Sequence, residues 1–332
     1  MTPEVPPRSY FKTSRGHKYS FFYLQARQTN PTLVFLHGFP SHSHDWLLQI
    51  HHFSTKGFGI VAPDLLGYGE TSKPTDVDNY RLKPMSDELI ELLDSLSLDQ
   101  VIGIGHDFGS TLLSRAAAYY PSYWTALVFL AVGPPRLGTP FDVDMINRVT
   151  KEAMGFEMLG YIPWLGGDPS AQHALETHAE SALSVMFAAD TPVWDYWFHP
   201  LGKMQEFVSD DRRVPIGDWY PESFQRKHLE AFGKTDGYKG AVRWYQMWLK
   251  NLYAQDEVGY ENIRIERPVL FVVPKEPAAS MAQQQQMLGD WTSNVETVPL
   301  DSGHWVHLER ATETNAAMES FFERFKSDTA QS

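Results

Sequence analysis

The 332-residue chain contains no cysteine. That absence excludes disulfides, thiolate nucleophiles and cysteine-ligated zinc together. Positive charge is also scarce: 28 Lys and Arg face 41 Asp and Glu, for a formal net charge of −13. Nucleic-acid backbones and anionic membranes both demand a basic face, so neither is expected as a partner. No apolar run approaches the ~18 residues of a spanning helix. The opening MTPEVPPRSYFKT lacks the apolar core of a secretory leader, and the closing AQS is no peroxisomal address. These features predict a soluble, cytoplasmic protein. There is no internal repeat, and QQQQ at Gln283 to Gln286 sits in a stretch read as a polar helix. The chain has no G-x-S-x-G, which excludes the serine esterase form of nucleophile turn.

What is present is globular: 42% apolar and 21% charged residues. At about 150 residues per domain, the length fits one large domain or two smaller ones. Six short apolar runs bounded by Gly, Pro or Asp read as buried strands: Thr32–His37, Gly59–Asp64, Val101–His106, Ala126–Val132, Val269–Val273 and Val295–Leu300. They are continuous rather than alternating, as in strands covered on both faces. Helical spacing of apolar residues marks Pro84–Leu98, Phe108–Tyr120 and Glu309–Lys326 between or after them. The alternation predicts a mostly parallel sheet flanked by helices. The opening Ser9–Ala26 alternates and fits an antiparallel hairpin at the sheet edge. From about Pro134 to Asn262 no strong strand signal occurs, and Trp164, Trp194, Trp197, Trp219, Trp244 and Trp248 all fall there. This is expected to be a helical cap inserted after the sixth strand. The core is then 1–133 with 263–332, and the cap is 134–262. An insertion at the carboxyl end of a parallel strand lies where such sheets bind ligands, which is the position of a lid.

Gly105-His106-Asp107-Phe108-Gly109 follows one buried strand and precedes a helix. Glycines two residues to either side of Asp107 suit a nucleophile elbow, a tight strained turn that tolerates only small neighbours. A carboxylate at its tip would attack carbon and form an ester with the enzyme. The plainer readings are a glycine-rich turn with a capping Asp, or a dinucleotide fingerprint. Gly103, Gly105 and Gly109 are spaced one residue too long for the latter. His37-Gly38-Phe39-Pro40 follows the first core strand, where the N–H of Phe39 could join that of Phe108 in an oxyanion hole. Alone it would be a simple Gly-Pro turn. His304 lies in Asp301-Ser302-Gly303-His304-Trp305, after the last core strand. Its order after the nucleophile matches a general base, with His307 as a decoy on the helix flank. Glu276 is the acid in the loop after Val269–Val273, where a third member would orient His304; the alternative is a solvated loop charge. His42, His44 and Asp45 invite a metal reading, but their spacing does not fit a binuclear site. A surface loop and a helix start is the expected outcome, with no metal or cofactor.

Taken together these residues resemble the epoxide hydrolases of the α/β-hydrolase fold, over nearly the whole chain from Tyr10 to Phe325. HGFP and GHDFG resemble the family's oxyanion and aspartate-elbow motifs, Pro63–Gly69 its loop after the next strand, and Gly303-His304-Trp305 its catalytic histidine. Leu159-Gly160-Tyr161 and Arg243-Trp244-Tyr245 resemble the two cap segments that carry its paired tyrosines. The resemblance implies an eight-stranded, mostly parallel sheet with a cap. It implies that Asp107 opens an epoxide while Tyr161 and Tyr245 assist its oxygen. His304, held by Glu276, then activates the water that releases a vicinal diol. Phe39 and Phe108 supply the oxyanion hole, and His37, Pro40, His106, Trp164, Trp244 and Trp305 are the expected lining of the substrate pocket. The implied substrate is a small apolar epoxide, and a homodimer is compatible with this reading.

The chain departs from the family pattern at Phe108, where many relatives have Trp, and at Glu276, where Asp is usual. Phe108 weakens a haloalkane dehalogenase reading, and no arginines beside the elbow support a fluoroacetate dehalogenase. An epoxide-opening cyclase of secondary metabolism would use the same residues. A non-catalytic binding protein on this scaffold would show a broken triad.

Overall fold

The computed structural model describes residues 5–190, 192–275 and 278–326. The apolar runs form strands of a single eight-stranded sheet. In chain order these are β1 (Arg8–Lys12), β2 (Lys18–Leu24), β3 (Thr32–Leu36) and β4 (Gly59–Pro63). They continue with β5 (Val101–His106), β6 (Trp124–Leu130), β7 (Val269–Pro274) and β8 (Val295–Leu300). Their spatial order is β1-β2-β4-β3-β5-β6-β7-β8. β1 and β2 form the expected edge hairpin, β2 pairs antiparallel with β4, and every later pairing is parallel.

The central strands β3, β4 and β5 are buried at every residue, which is why their sequences run apolar without alternation. β8 departs from that expectation. Its residues are half-exposed, because it pairs only with β7 and closes the sheet edge. β6 starts two residues before the expected run and stops at Leu130, where Ala131 takes a left-handed φ of 63°.

Two compact units result. The first gathers the chain up to Leu65, then Leu82–Gly138, then the chain from Glu257 onward, and it contains the whole sheet. Within it the buried Arg115, on the helix Phe108–Tyr119, grips both places where the chain leaves and returns. Its Nε and Nη2 donate to Glu257 at 2.7 and 3.1 Å, its Nη1 donates to the Pro135 carbonyl at 2.7 Å, and the Gly138 N–H donates to Glu257 at 2.6 Å.

The second unit is Leu66–Arg81 with Thr139–Asp256. Its long stretch lies inside the 134–262 read from the sequence; Leu66–Arg81, read as part of the core, groups with it. The reason is close packing. A Cβ on Gly240 would lie 2.2 Å from the Gly67 Cα, and the Trp244 indole N–H donates to the Leu66 carbonyl at 2.8 Å. The unit is helical, with one isolated bridge between Ala188 and Ile216 among the described residues. Among the described residues no helix is long and apolar enough to cross a membrane.

Candidate active site

The parallel strands deliver their carboxyl ends to one edge of the sheet, and the expected residues of the first unit gather there. β3 and β5 are neighbours with Leu36 opposite Gly105, so the loops that leave them start side by side. Asp107 sits on the turn from β5 into the helix Phe108–Tyr119, with φ 53° and ψ −122°. An L-residue held there stores roughly 1–3 kcal/mol of strain, which only surrounding packing can sustain. That packing requires glycine. A Cβ at Gly109 would lie 2.0 Å from the Leu36 carbonyl oxygen, one at Gly105 2.7 Å from the backbone of Ser110, and one at Gly38 2.2 Å from the Asp107 carboxylate. The glycine spacing thus serves an elbow rather than a dinucleotide loop.

The Phe39 N–H donates to Asp107 Oδ1 at 2.9 Å, and the Phe108 N–H also bonds the carboxylate. Both sit where a helix N-terminus adds partial positive charge. Burial pushes the Asp107 pKa up, and the His106 ring with these two N–H groups pulls against it. His304 Nε2 lies 3.7 Å from Asp107 Oδ2. β8 is separated from β5 by β6 and β7, so the loop Asp301–Trp305 has to turn back to bring the imidazole this far.

That loop is held by polar contacts. His106 Nε2 bonds the His304 carbonyl oxygen at 3.0 Å. The Gly303 N–H donates to Glu309 Oε2 at 2.6 Å, and the Trp305 N–H donates to Glu309 Oε1 at 2.9 Å. The Arg310 Nε donates to the Asp301 carbonyl at 2.7 Å. Three imidazoles cluster at the loop in tilted contacts: His106 lies 4.6 Å from His304 and 4.5 Å from His307 between ring centroids. Burial drives the His106 pKa down to about 3 and holds His307 well below its ordinary value. His307 lies on the short helix Val306–Glu309, as expected of the neighbour of His304, and is buried against Trp46.

Other expected residues have supporting places. His37 is buried, bonds the Gly38 carbonyl oxygen through Nδ1 at 2.9 Å and accepts the Leu65 N–H on Nε2 at 3.0 Å, and burial lowers its pKa to about 4. Pro40 and Trp305 are buried beside the two loops. Glu276 lies outside the described residues. His42 and Asp45 are buried rather than on a surface loop; Asp45 accepts from Ser41 Oγ at 2.7 Å, while Ser43 Oγ donates to Asp64 at 2.6 Å. Glu309, read from the sequence as the first residue of the amphipathic helix Glu309–Lys326, is a contact of the histidine loop that sequence reasoning missed. Its only signal was an acid one helical turn after the GHW motif.

In the second unit, the rings of Tyr161 and Tyr245 meet edge-on with centroids 6.0 Å apart. Phe198 backs Tyr161 at 4.4 Å. A Cβ on Gly166 would lie 2.8 Å from the Tyr245 backbone, so this glycine lets the two segments approach. Trp244 faces the opposite way, buried against Leu66, and Trp164 is buried next to the Tyr161 segment. The paired tyrosines are brought together from 84 residues apart in the chain, between positions 161 and 245.

Residues 31–311 match the alpha/beta hydrolase fold family. The chain belongs to that family. It is 24% identical over 338 residues to the bifunctional epoxide hydrolase 2 of Sus scrofa, across 97% of this chain and 58% of that protein. It is 25% identical over 297 residues to an epoxide hydrolase of Caballeronia sordidicola, across 88% of this chain and 87% of that one. Among solved structures, epoxide hydrolase A from Mycobacterium thermoresistibile superposes with a TM-score of 0.80 at 24% identity, over 96% of this chain and 98% of that one. The chain thus spans little more than half of the Sus scrofa relative.

Proposed function

We propose that the chain is an epoxide hydrolase that works through an ester on Asp107. The observation that carries this reading is the carboxylate at the elbow. It sits where a hydrolase nucleophile sits, with Phe39 N–H on Oδ1 and His304 Nε2 3.7 Å from Oδ2. A carboxylate is a poor nucleophile toward a carbonyl but a good one toward a strained ring carbon, and its ester can be cleaved in place.

In the first step Oδ2 attacks a ring carbon, the ring C–O bond breaks, and the developing alkoxide takes a proton from Tyr161 or Tyr245. Phenols with pKa near 10 are neutral donors at working pH, and such donors matter because an unassisted alkoxide leaves badly. Oδ1 becomes the ester carbonyl oxygen, already in the oxyanion hole. In the second step His304, oriented by Glu276, takes a proton from water as it adds to the ester carbonyl. The N–H groups of Phe39 and Phe108 hold the oxyanion. Collapse expels the diol, whose leaving oxygen takes the proton from His304; the carboxyl group keeps the water's oxygen, and its remaining proton returns to the tyrosinate. The relatives are named as epoxide hydrolases, which supports an epoxide as the substrate. No step needs a metal or an organic cofactor.

Intact mass of His304→Gln after exposure to a panel of epoxides tests this. The expected result is a gain of one epoxide, mapped to the peptide that carries Asp107. Diol formation by the native protein with no adduct on the variant would overturn it.

A further inference from the structure

We propose that Glu309 is a positioning residue for His304, a carboxylate clamp on the N–H groups of the two residues that flank the base, which sets the rate of ester hydrolysis rather than of ester formation. This rests on the reading above. Glu309 closes the short helix Val306–Glu309. One oxygen accepts the Trp305 N–H at 2.9 Å and the other accepts the Gly303 N–H at 2.6 Å. The first contact alone would be an ordinary cap on the helix that Trp305 begins. The second is not, because Gly303 lies two residues before that cap and outside the helix. The residue between the two donors is His304. With the His304 carbonyl oxygen bonded by His106 at 3.0 Å, the peptide group after the base is held at both its ends, and the one that enters Gly303 is held at its N–H.

The packing agrees. A Cβ on Gly303 would lie 3.0 Å from a Glu309 oxygen, so the loop backbone lies directly on the carboxylate. Partial burial pushes the Glu309 pKa up, and the N–H groups of Gly303 and Trp305, with Arg310, pull against it. Two convergent N–H donors need an acceptor on both oxygens. The carboxylate provides that; a protonated acid or an amide turns one of its ends into a donor facing a donor. Glu309→Gln therefore keeps the shape and breaks one of the two bonds.

His304 acts only in the second step, so loosening its loop has an asymmetric effect. In Glu309→Gln we expect hydrolysis of the ester to slow about tenfold, with the rate of ester formation changed less than about twofold. The adduct on Asp107 then accumulates during turnover, and kcat falls with KM. Hydrogen exchange of the peptide spanning Asp301–Trp305 should speed up. Glu309→Asp, which keeps the charge on a shorter arm, should recover part of the hydrolysis rate and serves as the second variant if Gln folds poorly. Equal slowing of both steps, or native kinetics, would overturn the proposal. Unchanged exchange in that peptide would overturn it without reference to the reaction. His304→Gln run alongside separates the two ideas. If it traps no ester, the reaction reading fails and the clamp is judged on exchange; if it traps ester while Glu309→Gln does not, only the clamp fails.

Discussion

Two loops meet at the candidate site and are held in opposite ways. The Asp107 elbow is held by sterics: a left-handed backbone sustained by glycines whose replacement would drive carbon into the Leu36 carbonyl or the carboxylate itself. The His304 loop is held by hydrogen bonds from Glu309, His106 and Arg310. The difference follows from topology. β3 and β5 are adjacent and parallel, so their loops need only be small to converge, whereas the loop after β8 has to reach back past two strands. Steric restraint is unforgiving and pH-independent; polar restraint is graded and titratable.

Four measurements would break or sharpen that contrast. Asp107→Asn should lower kcat by at least about 10⁴-fold with the fold intact, since an amide does not attack a ring carbon. The assay uses fresh protein, with mass spectrometry to exclude deamidation; retained turnover removes the nucleophile. Gly109→Ala should cost about 3 kcal/mol or more in a denaturant titration, because its Cβ meets backbone rather than a movable side chain. The control is Gly289→Ala, with nothing within 4 Å of its Cβ on the helix Ala278–Trp291. There alanine should be neutral or stabilise by up to about 1 kcal/mol. Equal effects at the two sites would sink the steric account.

Acid should destabilise the fold through a buried imidazole beside each loop, leaving the steric contacts of the elbow themselves unchanged. His37 beside the elbow and His106 beside the histidine loop have folded pKa values lowered by burial to about 4 and about 3, from 6.5. Each stays neutral in the fold while the unfolded chain takes up a proton. Their contribution is therefore intact above pH 6.5 and lost as pH falls from there toward 4 and 3. Over the first unit below 6.5 the loss approaches about 1.4 kcal/mol for each. Denaturation midpoints at pH 7.5 and 5.5 measure it, and equal midpoints would refute it. The smallest effect is expected from His106→Phe, which keeps a ring in the cluster but deletes the bond to the His304 carbonyl. It should cost about 1 kcal/mol and less than tenfold in kcat; a larger loss would make the imidazole itself part of the chemistry.

The same contrast explains what the sequence made legible. Sterics leave a local trace: Gly105 and Gly109 flank Asp107 at fixed spacing, and the buried strands run apolar without a break. The glycine-flanked turn at Asp107, the buried strands and the helical stretch between β6 and β7 could accordingly be read from the chain, while the spatial order of the strands could not. Polar restraint leaves no such trace. Nothing near Glu309 announces that its two oxygens meet the N–H groups of the residues on either side of His304, and nothing near His37 says that both its ring nitrogens serve the backbone. Leu66–Arg81 looked like core because it follows a core strand, yet Gly67 and Gly240 bring it against the helix Lys239–Leu249. The half-exposed β8 carries Glu296 and Thr297 among its apolar residues, in keeping with a strand that lacks a second neighbour.

The grip of Arg115 on Pro135, Gly138 and Glu257 has a further consequence. The points at which 139–256 departs and returns are already tied to each other inside the sheet unit. The gap that a deletion would leave is about the reach of one glutamate side chain. The inserted stretch thus begins and ends at a single closed seam, and its own ends need not span any part of the sheet.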